Sequence, residues 1–558
     1  MQHLILVLLM TVGVAAGDGY VRNATPPTDG RVGSNYTPAY ASSPIQFWHD
    51  FRPEVVEKEL AAAEKNFGLN MLRVYINTTN YFAEKDVLFR NLETFIGIAD
   101  KAGLRPGFVF FSGDHRADNP VYLDGPYAPR PGHHNGRWPS SPQEHEWDKD
   151  DPDNVDRFKP YVQDVIAKYK DDQRVLFWEI HNEPPHDNKR RDKLKRAAYA
   201  WAKELEPIQP VLNCEFKGGW GDSEVTDIVS SHVYHCAWGL WNTFADVGLK
   251  EGNFKGTMFT EAGARWKATR RNHGGPTDVM FWLDAHRRTQ NKPIPGVMLT
   301  WELNVSNSNT RWHWIDNGYQ RGEPDPEPEI PWCGLQWSNG DPVSLAEAAI
   351  VRKHANGKWD ALFYDDFQRG GSKWKLYGMK HTHWRHGIYM LHGTKAVAGD
   401  PTWTDYVVEG RALFKRKWLL RDEKRKDYST VEGDPAAGLL LRVNDAGEAY
   451  DDLRASSVTH DGKALILGKF NKGSWKELSR FDLAANAIQA RQMEWSMIRV
   501  EAVGPRIRVH FNRYHGDPDK GWRIDYTDRD DPILSGAIGV SSFKTDAMFD
   551  DVVVLPAR

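Results

Sequence analysis

Cysteine is nearly absent: Cys214, Cys236 and Cys333 are the three in 558 residues. Three thiols cannot staple a small scaffold, so stability must come from a large apolar core. Cys214 and Cys236 fall at the ends of neighbouring predicted strands, which leaves open a pairing between them or a buried free thiol at each. An excess of charge of one sign is missing too. With 72 basic and 76 acidic residues the net charge is −4, which offers no electrostatic case for nucleic acid or an anionic membrane. Long hydrophobic runs are also lacking. The apolar stretch Leu4 to Ala16 is too short to span a bilayer and has no Lys or Arg ahead of it. Its small residues Val14 and Ala16, just before Gly17, predict a signal peptide over residues 1–16, hence a secreted or periplasmic protein without membrane insertion.

What the chain has in quantity is aromatic surface: 23 Trp, 20 Tyr and 24 Phe. Indole and phenol faces fill cores and also stack on apolar faces of ligands, sugar rings among them. At this length more than one domain is expected. Helical and strand patterns alternate from about residue 40 to 355. Phe51 to Gly68 opens near a Pro and closes on Gly, as helices do. Asn70 to Ile76 and Arg105 to Phe111 follow as apolar strands, and further strands are predicted near Arg174 to Asn182, Pro210 to Glu215, Asp227 to His235, Gly256 to Gly263 and Pro295 to Leu303. With Ser43 to His49 as first strand there are eight, and Val343 to His354 supplies a last helix. Eight such units over roughly 300 residues predict an α/β fold, a (β/α)8 TIM barrel spanning residues 17–356. The Pro- and Glu-rich stretch Arg321 to Pro331 is assigned to the loop after strand eight, since a barrel helix still follows it.

From residue 357 to 558 the pattern changes to short alternating strings separated by turns, with no helix between them. That predicts an all-β sandwich, concanavalin- or jelly-roll-like, folding as a separate accessory unit. Trp475 and Trp522 are candidates for glycan binding there, and Asp365, Asp366, Asp550 and Asp551 for calcium if the first and last strands pair.

One strand ends in a way that calls for chemistry. The run "RVLFWEIHNEPPH" carries a buried-strand pattern into Asn182, Glu183 and two prolines. In such barrels the strand C-termini form the active face. Glu183 ends strand four, and Glu261 in "FTEAG" ends strand seven, across the mouth. Two facing carboxylates suit glycosidic hydrolysis, one donating a proton to the leaving oxygen and the other attacking the anomeric carbon. That chemistry needs no metal and no cofactor. His115, His133, His134 and His145 lack metal-ligand spacing.

"WEIHNEP" followed by "FTEAG" resembles the clan A glycoside hydrolases, most nearly the cellulase/mannanase-like family 5 enzymes, over about residues 40 to 355. The resemblance implies that Glu183 is the acid/base and Glu261 the nucleophile of a retaining enzyme acting on a poly- or oligosaccharide. It further implies that Arg73 stands beside the nucleophile, that Asn182 binds the sugar 2-hydroxyl, that His232 and Tyr234 form a strand-six His-x-Tyr with Tyr234 orienting Glu261, and that Trp301 lies under the reacting sugar. The family histidine at the end of strand three has no clean counterpart; His115 is the substitute. Two other readings remain: a non-catalytic glycan-binding protein on a barrel scaffold, and a transglycosidase.

Overall fold

The computed structural model describes residues 32–113, 120–151, 153–185, 188–215, 223–233, 257–262, 265, 297–312, 328, 330–367, 371–378, 383–385, 388–392, 394–414, 436–444, 454–459, 462–471, 474–486, 488, 490, 495–512, 521–543 and 545–557. Eight parallel strands close into a barrel in sequence order: β1 (Val32–Asn35), β2 (Met71–Tyr75), β3 (Arg105–Ser112), β4 (Trp178–Asn182), β5 (Val211–Glu215), β6 (Val229–Val233), β7 (Thr257–Ala262) and β8 (Val297–Thr300). The ring closes where Gly33 and Ser34 pair with Leu299 and Thr300.

The predicted first strand is not a strand. Ser43 to His49 forms a helical turn, α1 (Pro44–His49), because Ser43 caps it by accepting from the Gln46 amide and Pro44 sits at the first helical position. Strand β1 lies earlier, and its sequence, VGSN, carries no apolar run. A glycine is required within it: a Cβ on Gly33 would lie 2.3 Å from Met71 and 2.5 Å from Leu299, so the neighbouring strands fill that space.

Outside the barrel lie α2 (Pro53–Phe67), α3 (Thr78–Lys101), α4 (Lys159–Tyr169), α5 (Lys189–Lys203) and α6 (Leu345–Asn356). Each presents an apolar stripe to the strands. Val56, Leu60, Ala63 and Phe67 on α2 are fully buried, each of the larger ones contributing about 1.5–3 kcal/mol. Helix α6 follows the long loop after β8, as expected.

Beyond α6, the described residues form two antiparallel sheets, one of seven strands and one of eight, the eighth strand of the second being Phe363–Asp365, which pairs with Asp546–Pro556. The sheets face each other over one apolar core, with Leu439, Leu467 and Val540 from one side meeting Val408, Val500 and Phe549 from the other. Alternation along Tyr406–Phe414 sends Tyr406, Val408, Ala412 and Phe414 into that core. The residues between them, Glu409 and Arg411, face the barrel.

That opposite face of the sandwich packs on the barrel. Tyr364 and Val553 belong to the barrel's own apolar cluster, and Leu555 packs against it. Glu409 accepts from the Ser344 hydroxyl at 2.9 Å and the Leu345 amide at 2.7 Å, so a sandwich residue caps α6. The acidic cluster also has internal employment. Asp365 accepts from the Phe367 amide and the Trp374 indole, and Asp551 from the Tyr364 hydroxyl, so these oxygens serve the fold.

Candidate active site

The barrel's parallel register delivers side chains to one rim. Arg73 and Tyr75 come from β2, Glu179 and Asn182 from β4, His232 from β6, Glu261 from β7, and Trp301 from the residue after β8. His232 and Glu261 are register partners on adjacent strands. Glu183 immediately follows β4 and takes a left-handed backbone at φ 46, a conformation costing a non-glycine residue of order 1–3 kcal/mol. Its amide donates to the Cys214 carbonyl at 2.9 Å. Gly113 permits the bend, since a Cβ there would meet the Glu183 carbonyl oxygen at 2.3 Å.

Arg73 is the centre of the constellation and is fully buried. Its guanidinium donates to both oxygens of Glu179, at 2.7 and 2.5 Å, and to Glu261 at 2.8 Å. It also donates to Asn35 at 2.7 Å, Asn182 at 2.6 Å and the Tyr75 hydroxyl at 2.8 Å. Tyr75 passes its own proton on, donating to Glu261 at 3.1 Å. A buried cation so surrounded stabilises negative charge on the facing carboxylates.

His232 joins the two glutamates. Its Nδ1 lies 2.5 Å from Glu183 and 3.3 Å from Glu261. Burial alone would lower the affinity of its ring for a proton, but Cys214, Glu261 and Glu183 outweigh it and hold the pKa well above the usual histidine value. A charged imidazolium between two carboxylates follows. Glu183, His232 and Glu261 each bring one ligand-capable atom within 4.8 Å of the others, a grouping of the kind that can hold a metal ion. Arg73 and the protonated His232 already supply positive charge there, which disfavours adding a cation.

Aromatic rings surround the pair. Trp301, Trp138 and Tyr75 meet edge to face, with centroids 5.1 to 6.2 Å apart, and Trp332 and Cys333 join the same cluster. Glu302, next to Trp301, is buried. One of its oxygens accepts from the hydroxyls of Ser306, Ser308 and Thr310. Burial nonetheless pushes its carboxyl up to about 7.

The structure thus brings together Glu183, Glu261, Arg73, Asn182 and His232, with Trp301 in the adjoining aromatic cluster. Tyr234, Cys236 and His115 lie outside the described residues. Sequence reasoning missed Tyr75, which does to Glu261 what was expected of Tyr234. The signal was present in "RVY", where alternation puts residues 73 and 75 on one face. His134, one of the loop histidines, bonds the Trp312 carbonyl at 2.8 Å.

No protein-family model matches the chain, and no curated protein does. Solved structures resemble it only distantly. The GH5_18 protein from Streptomyces cattleya in complex with GlcNAc is 15% identical at a TM-score of 0.40, over 59% of this chain and 81% of that one. A GH2 beta-galacturonidase from Eisenbergiella tayi, bound to galacturonate, is 13% identical at 0.35, over 55% and 48%. The carbohydrate binding module CBM66 from Bacillus subtilis is 15% identical at 0.23, over 30% of this chain and 85% of that one. Likenesses this distant say nothing of the reaction.

Proposed function

We propose that this protein is a secreted or periplasmic retaining glycoside hydrolase that cleaves β-glycosidic bonds in a poly- or oligosaccharide. The observation that carries the reading is the approach of Glu183 and Glu261 at the barrel mouth, with carboxylate oxygens within 4.8 Å. Retaining enzymes hold their carboxyls about 5–5.5 Å apart, whereas inverting ones leave about 6.5–9.5 Å for a water. Glu261, fixed by Arg73 and Tyr75, attacks the anomeric carbon. Glu183 gives its proton to the leaving oxygen, so a glycosyl ester forms on Glu261 as the aglycone departs. Glu183 then takes a proton from water, which attacks the ester and frees the sugar. His232, holding a proton between the two, donates to whichever carboxylate is charged. Asn182 spends its carbonyl on Arg73, which leaves its amide to donate to the 2-hydroxyl. Trp301 offers the platform for the ring, and Tyr234 is proposed as a further contact.

The sandwich, read as concanavalin- or jelly-roll-like, has an exposed Trp475 beside Phe470 on an edge strand, which supports a glycan contact there. The test is a screen on β-mannans, β-glucans, xylans and aryl β-glycosides, comparing the natural protein with Glu261→Ala. The reading expects hydrolysis of at least one substrate by the natural protein and none by the variant. Equal, absent activity in both across the panel would sink it and favour a glycan-binding role.

A further inference from the structure

Resting on that reading, the loops around the site say where along a glycan it cuts. Proton donation by Glu183 puts the leaving group on the β4 side of the scissile bond. The sugar retained on Glu261 therefore extends away from β4, and in a closed eight-stranded ring the strand opposite is β8, flanked by β1 and β7, with the long β3 loop reaching across the mouth to it. An enzyme that binds the middle of a chain needs an open groove on that side.

The loops there are instead laced together. After β8, Asn307 donates to the Ala39 carbonyl at 3.0 Å and the Tyr40 carbonyl at 2.9 Å, both in the loop after β1. Asn309 donates to the Arg130 carbonyl at 2.6 Å, and His134 bonds the Trp312 carbonyl, so the β8 loop is tied to the β3 loop. The β3 loop is fixed in turn to the start of α3 after β2, where the Gln143 amide donates to Thr79 at 2.9 Å and Thr78 donates to Glu146 at 2.7 Å. The seams are tight: Trp138 and Trp332 are each 3% exposed and Trp312 1%. An open groove floored by these indoles would leave their faces in water.

We infer that the enzyme is exo-acting: its glycone subsite holds one sugar, and it releases single residues from the non-reducing end of its substrate. A second sugar attached to the first would meet the wall formed by the β3 and β8 loops around Trp138 and Trp332. Discrimination comes from that wall, because a buried indole cannot be displaced without opening a packed seam.

The full chain is assayed on 4-nitrophenyl β-glycosides of glucose, mannose, galactose and N-acetylglucosamine, on the matching disaccharide glycosides, and on the same disaccharides capped with a 4,6-O-ethylidene group. The inference expects nitrophenol from at least one monosaccharide glycoside. It expects free monosaccharide to precede nitrophenol on that sugar's disaccharide, and near-complete loss of cleavage on the capped one. Asn309→Ala, which cuts a tie between the two loops, should raise the rate on capped relative to uncapped substrate by about tenfold or more. Intact disaccharide released together with nitrophenol, or a capped substrate cleaved as fast as the free one, overturns the inference while leaving the glycosidase reading standing. No cleavage of any substrate, with polysaccharides also untouched, overturns the glycosidase reading and this inference with it. Should Asn309→Ala not fold, the product pattern of the natural protein decides alone.

Discussion

Arg411, on a sandwich strand, donates to the buried carboxylate of Glu347 on α6 at 2.6 Å, and Arg265, just beyond β7, donates to both oxygens of the same carboxylate. Arg265 in turn donates to the carbonyls of Pro331 at 3.0 Å and Gly334 at 2.8 Å, bracketing Trp332 and Cys333 of the aromatic cluster. A line of charge thus runs from the sandwich, through a barrel helix, to the wall of the site.

Breaking that line leaves a buried charge short of a partner. Arg411→Ala should destabilise the protein by about 3–5 kcal/mol in urea unfolding. Burial would raise the Glu347 pKa, but Arg265 and Arg411 more than reverse this and hold it below the usual range. A depressed folded pKa gives stability that is present above the unfolded value and lost as pH falls through the folded one. Arg411→Ala should therefore also begin acid unfolding at a higher pH than the natural protein. Adding Glu347→Gln should recover part of the loss; a double variant as weak as the sum of its singles would contradict the coupling.

Cutting the chain at Gly357 tests the shared core. Without Tyr364, Val553 and Glu409, the barrel exposes apolar surface and the first turn of α6 loses one acceptor, keeping the Ser344 side chain. The fragment should aggregate or melt without a cooperative transition by circular dichroism. A fragment melting within a few degrees of the intact protein would show that the barrel stands alone.

The two glutamates should fail differently. Glu261→Ala should lose hydrolysis of every substrate, since no ester can form. Glu183→Ala should be hurt most on substrates with poor leaving groups, because activated aryl groups depart with little protonation. Azide should then restore turnover by attacking the glycosyl ester, giving a β-glycosyl azide. Equal losses on activated and unactivated substrates, without azide rescue, would remove Glu183 from the acid/base role.

Glu302 offers a test by pH. Its folded pKa of about 7 lies above the ordinary 4.5, so the folded state holds a proton that the unfolded state releases more readily. The resulting stability is complete below about pH 4.5 and fades as pH rises through about 7, by roughly 3 kcal/mol in all. Glu302→Gln keeps an acceptor for the three hydroxyls and removes the titration. The stability of the natural protein minus that of this variant, from urea unfolding at several pH values, should fall across that window. A flat difference would mean that Glu302 does not titrate there.

Much of the barrel was legible because its strands, buried on both faces, are written as continuous apolar runs between amphipathic helices. Glu183 was legible because a charged residue followed by Pro-Pro interrupts such a run. Strand β1 was not, since closeness at Gly33 matters there more than apolarity, while Ile45, Phe47 and Trp48 of α1 imitate a strand. The docking of the sandwich was hidden for a related reason. Glu409 and Arg411 look like the watered face of a half-buried strand, and only the fold shows that face turned onto a helix cap and a buried carboxylate.

Val553 lies roughly two hundred residues after helix α6, yet its side chain belongs to the barrel's apolar cluster. At about 5–20 residues per second, a ribosome needs about 10–40 s to cover that stretch. During this interval a nascent barrel would wait with an uncovered patch and a helix missing one of its N-terminal acceptors. Any factor that shields apolar surface on emerging chains has its longest opportunity there, and the barrel's apolar cluster is complete only when the strand Asp546–Pro556 arrives.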